Sequence, residues 1–147
     1  MDHNMFCFQC EQTAGCTGCT SRGVCGKDAQ TAQAQDRLTG ALIGLARAAD
    51  TSPDAGPETW QLMIEGLFAT LTNVNFDPDS LNALAGRVRA EKQRLVPDCA
   101  VCTAPCGRTG DYDLAQLWGA QEDIRSLKSL LLFGSRGMAA YAYHAMV

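Results

Sequence analysis

Residues 5–50 have the sequence MFCFQCEQTAGCTGCTSRGVCGKDAQTAQAQDRLTGALIGLARAAD, and its character changes at Asp28. Before Asp28 the chain is rich in cysteine, glycine and threonine and shows neither helical nor strand periodicity, which indicates a loop. Asp28 is a good helix cap, and apolar side chains recur at helical spacing from there to Asp50. The sequence therefore predicts a cysteine-rich loop over residues 1–27 and a helical bundle over residues 28–147.

Three further stretches carry apolar side chains at helical spacing. They predict helices from Glu58 to about Thr72, from Pro78 to Leu95, and from near Ala120 or Glu122 to the end of the chain. No stretch alternates convincingly between apolar and polar residues, so we expect no strand. The expected fold is all-α, a single domain in which a bundle of three to four helices follows the cysteine-rich loop.

Composition excludes two classes of partner. The formal net charge is −4 and the twelve Lys and Arg residues are scattered along the 147-residue chain, so we expect no nucleic-acid partner. No stretch approaches the ~18 consecutive apolar residues of a membrane-spanning helix, and the first residues lack the pattern of a signal peptide. We therefore predict a cytoplasmic protein without a membrane partner.

Eight cysteines form two groups, one from Cys7 to Cys25 and one from Cys99 to Cys106. Because a reducing cytosol disfavours structural disulfides, grouped cysteines indicate metal binding or redox chemistry. The amino-terminal group contains five cysteines, and four of them provide the number of thiolates that a zinc ion or an iron-sulfur cluster requires: Cys7, Cys10, Cys19 and Cys25.

Two details of the amino-terminal group favour a cluster over zinc. Glycines at positions 15, 18, 23 and 26 let the backbone adopt positive φ and bring N–H donors close to inorganic sulfide. Zinc sites more often present two C-x2-C pairs, and here only the first pair of ligands, Cys7 and Cys10, has that spacing. Zinc, or free and redox-active thiols, remain alternatives on spacing alone.

The sequence closely resembles the opening of the hybrid cluster proteins, also known as prismane-type proteins or hydroxylamine reductases. The resemblance begins in the cysteine-rich loop, continues through the helices and spans essentially the whole chain. It rests on MFCFQCEQTA at 5–14, GCT at 18–20, GVCGK at 23–27, GLFATLTNVNFD at 66–77, DIRSLKSL at 123–130 and GMAAYA at 137–142.

The resemblance implies that Cys7, Cys10, Cys19 and Cys25 ligate an iron-sulfur cluster. Their short spacing is similar to that of family members carrying [4Fe-4S], with [2Fe-2S] as the alternative. The family is described as reducing hydroxylamine to ammonia, or nitric oxide, at a hybrid cluster whose ligands lie far downstream. We therefore expect that cluster only in a full-length protein.

For this chain the resemblance implies an electron-transfer domain that has no catalytic residue and is not catalytic alone. Its expected partners are a redox donor protein and the downstream catalytic domains of the full-length protein. The chain ends at Val147 in apolar helical sequence without a stop signal, so we expect truncation there and self-association through an exposed apolar helix. A stand-alone ferredoxin-like carrier and a zinc-stabilised structural module are the alternatives.

The carboxyl-terminal cysteine group is one ligand short of a complete site. Its spacing is C-x2-C-x3-C, formed by Cys99, Cys102 and Cys106, and Cys16 could complete a second cluster or a zinc site. The alternative is a surface loop with reduced thiols, or a loop that covers the first cluster. Cys16 departs from the family pattern and is interpreted as a free thiol near the cluster, or as a ligand able to replace Cys19.

Overall fold

The computed structural model describes residues 5–10, 13, 15, 17–97 and 110–147. Within these ranges the chain is all-α, as predicted, and no β-strand is present beyond one isolated bridge. The helices, in chain order, are α1 (Ala29–Thr51), α2 (Pro57–Ala69), α3 (Pro78–Leu95), α4 (Leu114–Trp118) and α5 (Glu122–Met146). Four of them were predicted, and the short helix α4 is the addition.

The helices begin where capping chemistry favours a start. The side chain of Asp28 accepts a hydrogen bond of 2.8 Å from the Thr31 N–H at the beginning of α1, as the sequence predicts. Proline occupies the first position of α2 and of α3, where an N–H would have no helical partner. Asp113 caps α4, which has only five residues and is too short to produce a periodic pattern.

The main core lies between α1, α2 and α3, and α1 packs most extensively on α3. A Cβ atom at Gly66 of α2 would lie 2.6 Å from Leu42 Cδ2, so glycine is what allows α2 to approach α1 closely. The larger buried side chains of this core are Leu38, Leu42, Leu45, Leu62, Leu81, Leu84, Val88 and Leu95.

Helix α5 packs along α2 but buries little of itself, since its buried residues are Arg136 and Ala139. A row of apolar side chains on α5 faces outward, and its members are 60–84% exposed: Leu127, Leu130, Leu131, Met138 and Tyr141. The exposed apolar helix expected from the sequence is therefore present. No helix in the described ranges has the length and hydrophobicity that crossing a membrane requires.

Candidate functional site

Cys7 and Cys19 face each other across an isolated antiparallel bridge. The Cys7 N–H donates to the Cys19 carbonyl at 3.0 Å, and the Cys19 N–H donates to the Cys7 carbonyl at 2.8 Å. Doubly bonded partners of this kind have Cα atoms about 5.5 Å apart and side chains on one face. The main chain alone therefore brings two of the predicted ligands together, and both are buried.

Cys10 and Cys25 lie in the same loop and are half-buried. A turn holds Cys25, because the Gly26 N–H donates to the Gly23 carbonyl and the Gly23 N–H donates to the Lys27 carbonyl, both at 2.8 Å. A Cβ atom at Gly23 would lie 3.1 Å from Cys25 Sγ. Cys7, Cys10 and Cys25 carry thiols rather than disulfides, as ligation requires.

The loop glycines act in two different ways. Gly15, Gly18 and Gly26 have positive φ, at 57°, 100° and 91°, as the sequence predicts. Gly23 was also expected to adopt positive φ and does not, and its role is to leave space beside Cys25. Gly18 combines positive φ with a lack of space, because a Cβ atom there would lie 2.4 Å from Cε2 of Phe6.

An aromatic cluster attaches the cysteine loop to α4. The Phe6 ring lies 5.0 Å from the Trp118 ring, and the Phe8 ring lies 4.8 Å from it, measured between centroids. Phe8 also packs against Leu114 and Leu117 of α4. Helix α4 thus provides an apolar wall on one side of the loop that carries Cys7 and Cys10.

The described residues contain no group of three or more Cys, His, Asp or Glu side chains that could hold one metal ion. A mononuclear zinc site needs ligand atoms within about 2.0–2.3 Å of one ion. An iron-sulfur cluster distributes its thiolates over several irons, so its ligands lie farther apart. The second predicted site cannot be described in the same terms, because all its members lie outside the described residues: Cys16, Cys99, Cys102 and Cys106.

Two cations are buried beneath the loop, and both contact Gln9, which lies between Cys7 and Cys10. Lys27 Nζ donates to Gln9 Oε1 at 3.2 Å and to the Gln35 side-chain oxygen. Arg136 Nη1 donates to the Gln9 main-chain carbonyl at 3.1 Å. The loop therefore rests on a charged network as well as on apolar contacts, such as those of Met5, Cys7 and Cys19 with Ala32 of α1.

Arg136 also joins three helices. Its Nη2 donates to the Thr39 hydroxyl of α1 at 2.8 Å, and its Nε donates to the Thr70 hydroxyl at the end of α2 at 3.0 Å. Burial lowers the pKa of Arg136 to about 10, so the guanidinium stays charged at neutral pH. All three of its hydrogen bonds are made in the interior, where they fix the position of the charge.

Asp36 is the described carboxylate nearest this network, and it accepts a hydrogen bond of 2.5 Å from Gln9 Nε2. Burial raises the pKa of Asp36 to about 6, although Gln9, Arg136 and Lys27 oppose the rise. Burial also raises the pKa of the Cys7 thiol, with Lys27 opposing it. Without a metal, the Cys7 sulfur is therefore protonated at neutral pH.

Sequence reasoning identified the cysteines but not the network formed by Gln9, Lys27, Asp36 and Arg136. One signal was available, because Arg136 is a lone charge in the stretch LLFGSRGMAA of α5. A charge among apolar and small helical residues indicates a buried, hydrogen-bonded position.

The sequence of this chain matches a known family and several known proteins. A family model described as the Prismane/CO dehydrogenase family matches residues 5–147. The chain is 39% identical to the hydroxylamine reductase of Desulfitobacterium hafniense (strain Y51), over 97% of this chain and 30% of that protein. It is 40% identical to that of Clostridium perfringens, over 97% and 30%. It is 36% identical to that of Kosmotoga olearia, over 98% and 31%. The chain thus spans about 30% of the length of these relatives.

Proposed function

This chain belongs to the Prismane/CO dehydrogenase family, and from that premise we propose that it is the amino-terminal electron-transfer part of a hydroxylamine reductase. In this role Cys7, Cys10, Cys19 and Cys25 hold one iron-sulfur cluster of the [4Fe-4S] type. The chain receives electrons from a redox donor protein and passes them toward downstream domains. Reduction of hydroxylamine takes place in those domains, at the hybrid cluster, and not on this chain.

The observation that carries this proposal is the pairing of Cys7 with Cys19 across the main-chain bridge. Two thiols separated by eleven residues are held on one face by two hydrogen bonds, before any metal binds. Cys10 follows Cys7 at C-x2-C spacing and Cys25 lies in the next turn of the same loop. Four sulfur ligands from one short segment are the donor set that iron-sulfur clusters take.

The surroundings of the thiols also fit a cluster. Gly18 and Gly26 have positive φ and carry no Cβ atom, so the backbone beside the cysteines is open. Backbone N–H groups there can donate to sulfur. The wall formed by Phe6, Phe8 and Trp118 limits the access of water from one side. When bound, such a cluster supplies reversible one-electron chemistry, and hydrogen bonding and solvent access adjust its potential.

The test is anaerobic purification of the chain followed by analysis of iron, zinc and acid-labile sulfide. We expect comparable iron and sulfide, a brown colour, and an electron paramagnetic resonance signal after reduction with dithionite. Replacing Cys7, Cys10, Cys19 and Cys25 by serine should abolish both iron and sulfide. Cys102→Ser is the matched control from the carboxyl-terminal group. Its iron content should equal that of the wild type, and a lower content would mean that this group also holds iron.

Three outcomes would contradict the proposal. Zinc without iron would indicate the structural module instead of an electron carrier. Retention of iron by the fourfold serine variant would mean that other residues hold the metal. Turnover of hydroxylamine by the pure 147-residue chain would show that the chain is catalytic on its own.

A further inference from the structure

Lys27 and Arg136 are the two buried cations of the described structure, at 3% and 1% exposure. Neither forms an ion pair with a described carboxylate. The four ion pairs among the described residues involve other side chains. Both instead donate hydrogen bonds to neutral oxygens around Gln9. Burying a cation without an opposite charge is costly, so this arrangement calls for an anion nearby.

The described protein supplies only part of that negative charge. Asp36 is connected to both cations through Gln9, and with its pKa raised to about 6 it carries one negative charge at neutral pH. One carboxylate cannot balance two cations. Among the described residues, the other groups whose negative charge acts on Arg136 are Cys7 and Cys10, once their sulfurs are ionised. Ligation of iron ionises both of them.

Resting on the function proposed above, we propose that Arg136 and Lys27 are positioning residues that act as the built-in counter-charges of the cluster. In the redox step one electron enters from a reduced donor protein, no bond forms or breaks, and no proton is taken up. The site therefore becomes more negative by one charge. Two fixed cations in a low-dielectric interior favour that change and raise the midpoint potential.

The geometry gives each cation a separate role. Arg136 is held by three hydrogen bonds from three elements, so its charge cannot move away when the site is oxidised. Lys27 lies two residues after Cys25, and its Nζ donates to the Gln9 side chain, between Cys7 and Cys10. It therefore links the segment of Cys25 to the segment of Cys7 and Cys10. Because α5 supplies Arg136, the last helix contributes to the electrostatics of a site 127 residues away.

The test is an anaerobic redox titration of the reconstituted chain, followed by electron paramagnetic resonance. Arg136→Gln and Lys27→Gln keep polar side chains but remove the charge, and both should shift the midpoint potential to more negative values. Arg136→Lys, which retains the charge, should recover most of the shift. Arg87→Gln is the control, because Arg87 lies exposed on α3 and pairs with Glu65, and its potential should equal that of the wild type.

A second measurement separates electrostatics from folding. The melting temperature of each protein is measured with and without its cluster, by circular dichroism. If Arg136 and Lys27 are counter-charges of the cluster, loading the cluster should raise the melting temperature less in the glutamine variants than in the wild type. A purely structural role lowers both melting temperatures equally, which would overturn the proposal.

The remaining outcomes are also decisive. Unchanged potentials in loaded Arg136→Gln and Lys27→Gln would overturn the counter-charge proposal and leave the electron-transfer function intact. A folded Arg136→Gln chain that takes up no cluster supports the proposal if Arg136→Lys restores uptake, and overturns it otherwise. Wild-type chain without iron or sulfide would overturn the proposed function itself, and the counter-charge role with it.

Discussion

The guanidinium of Arg136 donates a hydrogen bond of 3.1 Å to the main-chain carbonyl of Gln9, 127 residues earlier in the chain. Gln9 lies between Cys7 and Cys10, and Arg136 is one of only two buried residues of α5. The last helix is therefore attached to the cysteine loop through a buried charge. Disturbing this contact should affect the loop and the helix together.

Arg136→Met tests that attachment in the metal-free chain. The substitution leaves the Gln9 carbonyl and the Thr39 and Thr70 hydroxyls without their donor. We expect the free energy of unfolding to fall by at least about 1.5–3 kcal/mol, the contribution of one hydrogen bond to a charged group. Urea unfolding followed by circular dichroism measures it. Tyr141→Ala, on an exposed part of the same helix, should change it by less than about 0.5 kcal/mol, and equal effects would contradict the attachment.

Asp36→Asn should make the metal-free chain more stable at neutral pH. The pKa of Asp36 is raised to about 6 in the fold, so between about pH 4 and pH 6 the folded state keeps a proton that the unfolded state releases. Stability from this group is therefore highest below about pH 4 and falls as the pH rises to about 6. The loss at neutral pH amounts to at most about 3 kcal/mol, at about 1.4 kcal/mol for each pKa unit.

Urea unfolding of both proteins across this pH range measures the effect. The asparagine variant should show a flatter pH dependence and higher stability at about pH 7, because its side chain still accepts from Gln9 but carries no charge. Asp50→Asn, exposed at the end of α1, controls for the change in net charge. Parallel pH curves for Asp36→Asn and the wild type would contradict the prediction.

Gly18→Ala should reduce the amount of iron that the chain retains. Alanine is strained at a φ of 100°, and its Cβ atom would lie 2.4 Å from the Phe6 ring, which contacts Trp118. Iron analysis and tryptophan fluorescence measure both consequences. Gly86→Ala is the control, since Gly86 has open space in the middle of α3 and alanine there should stabilise the chain by roughly 0.5–1 kcal/mol. Full iron content in Gly18→Ala would show that the loop tolerates the change.

The exposed apolar row of α5 should cause the chain to self-associate. Replacing Leu130 and Tyr141, which are 68% and 84% exposed, by glutamate and serine should shift sedimentation toward monomer. Stability should change little, because neither side chain is buried. Leu45→Ala, in the main core, should instead cost about 2–5 kcal/mol. A wild-type chain that is monomeric at high concentration would contradict this prediction.

The sequence predicted the fold best where a helix buries one continuous face. On α3, Leu81, Leu84 and Val88 recur at helical spacing and all three lie in the core. Periodicity failed to show burial on α5, because it reports that a helix has an apolar side and not whether anything covers that side. Helix α4 was missed because five residues complete little more than one turn.

The candidate site divides in the same way. The spacing and composition of the loop were enough to propose the cysteines as ligands, since ligand patterns are local in sequence. The support beneath them is not local. Asp36 on α1 and Arg136 on α5 contact Gln9 only in the folded chain. Periodicity in the sequence does not predict such long-range contacts. Only a lone arginine in an apolar helix indicated it.

The bridge between Cys7 and Cys19 has a consequence for how iron is acquired. Its two hydrogen bonds need no metal, so part of the entropy cost of ordering the ligands is already met by the polypeptide. The main core between α1, α2 and α3 likewise closes without using any of these thiols. A chelator should therefore yield a helical protein ready to accept iron again, unlike small zinc fingers, which lose their fold when the ion is withdrawn.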